Sequence, residues 1–127
     1  MEFDRDLIMP DSSLSFNENG IVPFNPDSAW NESMFGAVFK DMDFDMNAPL
    51  KEMNKKQSDI LWNGTGERSL KWIYKKQSGE GTSTYNRPWV GIYSELRRRY
   101  AEAWGDSARE NLEKYMENNN ITQGSLL

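Results

Sequence analysis

Apolar side chains recur along this chain with two different spacings, and each spacing predicts a different kind of element. After Asp27-Ser28, a pair suited to capping a helix, Trp30, Met34, Ala37 and Val38 fall at i, i+4, i+7 and i+8, which predicts an amphipathic helix to about Lys40. Leu50, Met53, Gln57, Ile60 and Leu61 take up the helical period again. Asn63-Gly64-Thr65-Gly66 then supplies residues that tolerate a left-handed turn, so this second helix is expected to stop there. Between Arg68 and Val90 the period drops to two, with Leu70, Trp72 and Tyr74 on one face of a strand and Lys71, Ile73 and Lys75 on the other. The glycine-containing run Gln77-Ser78-Gly79-Glu80-Gly81 leads to a second strand from Thr82 to Arg87. Together they predict a hairpin, ended by Pro88, which has no amide proton to give.

Helical spacing returns at Tyr93, Leu96, Tyr100, Ala103 and Trp104 and breaks at Gly105. It resumes at Ala108, Leu112, Tyr115 and Met116, after Ser107-Ala108-Arg109-Glu110, which fits a capping box. Ahead of all this, Leu7-Ile8-Met9 and Ile21-Val22-Pro23-Phe24 are separated by turn-forming residues and predict turns and short strands. The expected architecture is α+β, about four helices with a basic antiparallel β-hairpin in a single compact domain. It divides into an opening segment at 1–26, a helical pair at 27–66, the hairpin at 67–90, a second helical pair at 91–118 and a tail at 119–127. A chain of 127 residues is long enough for one hydrophobic core and too short for two ordinary ones.

Composition narrows the function classes. Five Trp, five Tyr and six Phe supply enough apolar bulk to fold despite a polar average. No apolar run approaches the roughly 20 residues of a membrane helix, and the start is acidic, so a cytoplasmic protein without membrane contact is expected. The absence of Cys removes disulfides, thiolate nucleophiles and Cys-based zinc sites. The absence of His removes the commonest general base and metal ligand. Nothing singles out a catalytic pair among twenty Asp and Glu, and a non-catalytic role is expected.

A net charge of −5 argues against a nucleic-acid binder only if the charge is spread evenly. It is not: residues 1–66 carry 5 basic and 12 acidic side chains, 67–100 carry 8 and 3, and 101–127 carry 2 and 5. The basic middle offers Lys71, Lys75, Lys76 and Arg87 on the hairpin and Arg97 and Arg98 beyond it, interleaved with aromatics, as candidate contacts to a DNA backbone. The competing reading is that these cations pair with the acidic flanks on a solvated surface. Arg97, Arg98 and Arg99 project about 100° apart on a helix and cannot share one face. Arg99 follows Glu95 by four residues and Arg98 precedes Glu102 by four, so both have intrahelical partners, whereas Arg97 has none. The tryptophans read as core, with Trp89, beside Pro88 and Gly91, the candidate exception as a base-stacking platform.

Two other patterns compete. Asp41, Asp43, Asp45, Asn47 and Glu52 occupy positions 1, 3, 5, 7 and 12 of a loop like the calcium-binding EF-hand. Met46 stands where that loop needs glycine and Pro49 stands at the ninth position, so a helix-terminal turn with solvated carboxylates is expected. Gly64-Thr65-Gly66 lacks the Gly-Lys-Ser/Thr ending of a phosphate loop and follows a helix, which makes it a helix stop.

Five segments come in a telling order: Phe44-Asp45-Met46-Asn47-Ala48-Pro49-Leu50, Asp59-Ile60-Leu61-Trp62-Asn63-Gly64-Thr65-Gly66, the basic hairpin, Leu96-Arg97-Arg98-Arg99-Tyr100 and Arg109-Glu110-Asn111-Leu112-Glu113-Lys114-Tyr115-Met116. Over nearly the whole chain this order resembles the insertion, or DNA-binding, domain of UvrA, the damage-recognition subunit of the bacterial excision nuclease, or of a UvrA-like paralogue. The resemblance implies a mobile arm of a larger ATPase in nucleotide excision repair that touches damaged duplex DNA through its backbone. It also implies that ATP and zinc belong to the parent protein and not to this segment. The implied partners are the rest of the parent, its dimer mate and UvrB. A protein-interaction module of the same parent that never touches DNA is the alternative.

Overall fold

The computed structural model describes residues 2–75 and 81–117. Its order is β1 (Glu2–Phe3), α1 (Arg5–Ile8), α2 (Ala29–Met42), a 3-10 turn (Leu50–Glu52), α3 (Lys55–Asn63), β2 (Ser69–Lys75), β3 (Thr82–Pro88), α4 (Ile92–Glu102), α5 (Gly105–Glu113) and β4 (Met116–Glu117). The α+β class and the antiparallel hairpin are as expected. The helix count is five among the described residues because the opening segment, expected to hold only turns and short strands, also forms α1, capped by the Asp4 side chain.

α2 is the central element. The Ser28 hydroxyl accepts a hydrogen bond from the Asn31 N–H at 3.3 Å and starts the helix, and Asp43 ends it in the left-handed conformation at φ 56°. One side buries Met34, Phe35, Val38, Phe39 and Met42. Phe35 is its hub, with the rings of Phe16, Phe24 and Trp89 at 5.0, 4.8 and 5.3 Å. Burial of a side chain of this size contributes about 1.5–3 kcal/mol, so these rings fix α2 against the opening segment and the end of the hairpin.

The second helix differs from its prediction. The helical spacing from Leu50 onward is interrupted, because Asn54 accepts from the Gln57 N–H while the Gln57 side chain accepts from the Asn54 N–H, and this capping box starts α3 afresh. Leu50 is buried from the 3-10 turn instead. The capping box expected at Ser107 is not used: α5 begins at Gly105, and Ser107 lies inside its first turn.

β2 and β3 pair in antiparallel register from Ser69 opposite Pro88 to Lys75 opposite Thr82. The second, smaller sheet joins the two ends of the described chain, with Glu2 opposite Glu117 and Phe3 opposite Met116. Among the described residues no helix is long and apolar enough to cross a membrane.

Candidate nucleic-acid interface

In an antiparallel pair, residues directly opposite one another project to the same face. Leu70, Trp72 and Tyr74 therefore share a face with Arg87, Tyr85 and Ser83, and the rings of Trp72, Tyr74 and Tyr85 sit edge-on to Trp30 of α2 at 6.2, 5.4 and 4.9 Å. The other face carries Ser69, Lys71, Ile73 and Lys75 from β2 and Thr82, Thr84 and Asn86 from β3, all exposed. No carboxylate projects from it, and Ile73, 60% exposed, is its one aliphatic side chain among these. The face is a two-stranded ribbon with lysines on either side of Ile73, set among small hydrogen-bonding side chains.

The predicted contact residues divide. Lys71 and Lys75 lie on the open face. Arg87 lies on the other, its guanidinium carbon 5.5 to 5.9 Å from the Tyr85, Trp72 and Trp30 rings, because its position opposite Leu70 turns it toward α2. Lys76 lies outside the described residues. On α4, Arg98 donates to Glu95 at 2.7 Å and to Glu102 at 2.8 Å, and Arg99 donates to Glu95 at 3.0 Å. The hydrogen bond from Arg98 to Glu95, a buried carboxylate, raises the pKa of the Arg98 guanidinium against the opposing effect of burial. Arg97 stands 5.8 Å from the Tyr93 ring and enters no ion pair among the described residues.

The open-face lysines and the arginines thus form two separate groups. Arg87 and Arg98 share a small hollow with Glu95, where cation and carboxylate already meet. Lys71 instead shares a surface hollow with Lys40 and Asp41 of α2. Asp41 pairs with Arg68, which lines a broad cleft of about 770 Å³ together with Lys55 and Lys56 at the start of α3. Sequence reasoning passes over Lys40, Lys55 and Lys56 because they lie in the acidic part of the chain. Only the packing of α2 on β2 brings Lys40 beside Lys71, and only the fold of the chain after α3 brings Lys55 and Lys56 beside Arg68, just ahead of β2.

Two aromatic expectations are corrected. Trp89 is 3% exposed, and its indole N–H donates to the Leu61 carbonyl oxygen at 3.1 Å, so it is core and offers no stacking surface. Trp104, which fits the apolar helical spacing, is 93% exposed, because α4 ends at Glu102 and carries the chain outward before α5. The acidic run after α2 is a helix end. Asp43 is the C cap, the Asp45 carboxylate accepts from the Asn47 N–H at 2.8 Å, and among the described residues no three Asp or Glu converge on a metal position. With no Cys or His in the chain, these residues do not fit the zinc that the resemblance gives to the parent.

The family described as the UvrA DNA-binding domain matches residues 4–114. The UvrABC system protein A of Treponema pallidum (strain Nichols) is 40% identical over 114 residues, covering 90% of this chain and 12% of that protein. Its counterpart in Listeria monocytogenes serotype 4b (strain F2365) is 34% identical over 117 residues, covering 91% and 12%. The chain thus spans about an eighth of the length of these curated relatives. The crystal structure of UvrA2 from Deinococcus radiodurans superposes with a TM-score of 0.67 at 14% identity, covering 91% of this chain and 15% of that one, and has the same fold. With the matched residues running from the start of the opening segment through α5, the chain belongs to the UvrA DNA-binding domain family.

Proposed function

We propose that this chain is a non-catalytic module of a UvrA-family protein of nucleotide excision repair, and that it holds duplex DNA by its backbone phosphates. The observation that carries the reading is the open hairpin face, where Lys71 and Lys75 project beside Thr82, Thr84 and Asn86 with no carboxylate among them. Phosphate contacts of this kind position a duplex without reading its sequence, so damaged DNA is distinguished by its shape and deformability. Lys71 and Lys75 are the primary contacts, and Lys76 joins them on the sequence alone. Arg97 is the next, whereas Arg87 and Arg98, held by aromatic rings and carboxylates, contribute less.

The pairing of β1 with β4 brings the chain into and out of the domain side by side, which suits a module carried within a longer chain. That larger protein supplies ATP hydrolysis, zinc, the dimer mate and the contact with UvrB, in the cytoplasm. A fluorescence-anisotropy titration of a labelled duplex, intact and lesion-bearing, tests the reading. Log affinity is expected to fall linearly with log salt, with a slope of about −0.9 per phosphate contact, and the Lys71→Gln/Lys75→Gln variant is expected to lose about two contacts of slope. Wild-type affinity and slope in that variant would sink the reading.

The second reading, a surface for another protein, is favoured by Trp104, 93% exposed and flanked in sequence by Glu102 and Asp106. Docking there is expected to be nearly indifferent to salt if apolar contact dominates it.

A further inference from the structure

We infer that the phosphate-binding surface runs from the hairpin toward α3, away from the ion-paired Arg98 and Arg99 of α4, and ends in the cleft held by Lys55, Lys56 and Arg68; this inference rests on the DNA-contacting reading. The path is continuous. Lys75 and Lys71 project from the open face of β2. Lys71 and Lys40 line one hollow across the junction of β2 with α2. Asp41, in that same hollow, accepts from Arg68, and Arg68 lines the wider cleft with Lys55 and Lys56.

Six cations thus follow one another along the surface, interrupted by two carboxylates, Asp41 and Asp59. Asp41 is engaged with Arg68, and its other oxygen is buried without a hydrogen-bond partner. Asp59 forms no ion pair with Lys55 or Lys56 among the described residues. On α4, Glu95 and Glu102 neutralise Arg98 and Arg99, as Asp41 neutralises Arg68, and Arg97 enters no ion pair among the described residues.

A second, independent observation singles out the lysines of α3. Lys55 and Lys56 are the first two residues of the helix, and the first turn holds no acidic residue. The positive end of the helix dipole disfavours cations there and attracts anions. Two lysines at this end oppose the dipole in the free protein and reinforce it once a phosphate arrives. Their position therefore costs the fold something that a bound anion returns.

The test compares two double variants of the 127-residue chain, Lys55→Gln/Lys56→Gln and Lys71→Gln/Lys75→Gln, in duplex titrations between about 50 and 200 mM salt. The expected result is that each pair lowers the salt slope by about two and weakens binding alike for different duplex sequences. Melting temperature provides the folding check: the Lys55→Gln/Lys56→Gln variant is expected to melt no lower than wild type, so its weaker binding cannot arise from unfolding. If that variant keeps wild-type slope while Lys71→Gln/Lys75→Gln loses it, the surface does not reach α3 and the hairpin reading stands alone. If neither variant changes binding, the DNA reading itself fails and the extension fails with it.

Discussion

Gly64 and Gly91 lie where two backbone segments cross. A Cβ on Gly64 would stand 2.4 Å from the Trp89 carbonyl oxygen, and one on Gly91 would stand 2.5 Å from the Trp62 carbonyl oxygen. Both have positive φ, 97° and 92°. Across the same crossing the Thr65 N–H donates to the Trp89 oxygen at 2.8 Å and the Trp89 N–H donates to the Thr65 hydroxyl at 3.0 Å. The crossing locks the end of α3 to the chain between hairpin and α4, and so sets the cleft beside Arg68.

Gly64→Ala and Gly91→Ala are each expected to cost about 3 kcal/mol or more, since the penalty of about 1–3 kcal/mol for an extended backbone at positive φ, which glycine alone adopts readily, is joined by a clash with backbone that cannot move aside. Gly66, also at positive φ but with open space for 4 Å around the position a Cβ would take, is the control. Gly66→Ala is expected to cost only about 1–2 kcal/mol. Denaturant unfolding of the three variants separates the two effects.

This crossing shows how far the sequence reaches. Asn63-Gly64-Thr65-Gly66 announces a helix stop by its residue types, and the structure ends α3 there, but nothing in the spacing says that Gly64 must also clear Trp89. The hairpin is legible because a period of two is a property of β2 itself, and its alternation of Leu70, Trp72 and Tyr74 with Lys71, Ile73 and Lys75 places each face correctly. Arg87 departs from the lysine face because the face of a β3 residue depends on register, which is fixed across the turn and not within the strand. Trp104 fits a helical pattern yet lies outside the helix for a related reason: spacing cannot tell that α4 has already ended. The nearness of Lys55 and Lys56 to Arg68 is invisible in the sequence because local charge counts follow the chain, whereas a surface follows its packing.

Glu95 is 5% exposed and holds both Arg98 and Arg99, so its role is in the fold. Glu95→Ala is expected to destabilise by about 1–2 kcal/mol, less than for a fully buried pair because water reaches both guanidinium groups once they are released. Arg98→Gln is expected to cost less than about 1 kcal/mol and to change the salt slope of duplex binding far less than Lys71→Gln. A loss of slope equal to that of Lys71→Gln would return Arg98 to the binding surface.

Of the five tryptophans, Trp62, Trp72 and Trp89 are buried, Trp30 is half-buried against the hairpin, and Trp104 is 93% exposed. Acrylamide quenching of the wild type should contain one strongly accessible component that disappears in Trp104→Phe, with stability unchanged within about 0.5 kcal/mol. Duplex bound along the lysines should leave that component in place. Protection of Trp104 by DNA would put the duplex at the junction of α4 and α5, against the expected geometry, whereas protection by another protein would support the second reading.

The lysines at the start of α3 tie stability to binding with opposite signs. A carboxylate in the first turn of a helix gains about 0.3–1 kcal/mol from the dipole, and a lysine there loses a comparable amount. Lys55→Glu and Lys56→Glu are therefore each expected to stabilise the chain, by up to about 1 kcal/mol, while weakening duplex binding more than the corresponding glutamine variants do. Asn54→Ala supplies the contrast, since removal of the cap should cost about 1 kcal/mol and leave both lysines in the cleft. Melting and anisotropy on the same three variants give a pattern that simple damage to the fold cannot produce: two proteins more stable and weaker in binding, and one less stable whose binding persists. Glutamate variants that melt higher yet bind as wild type would show that these lysines oppose the dipole without serving DNA.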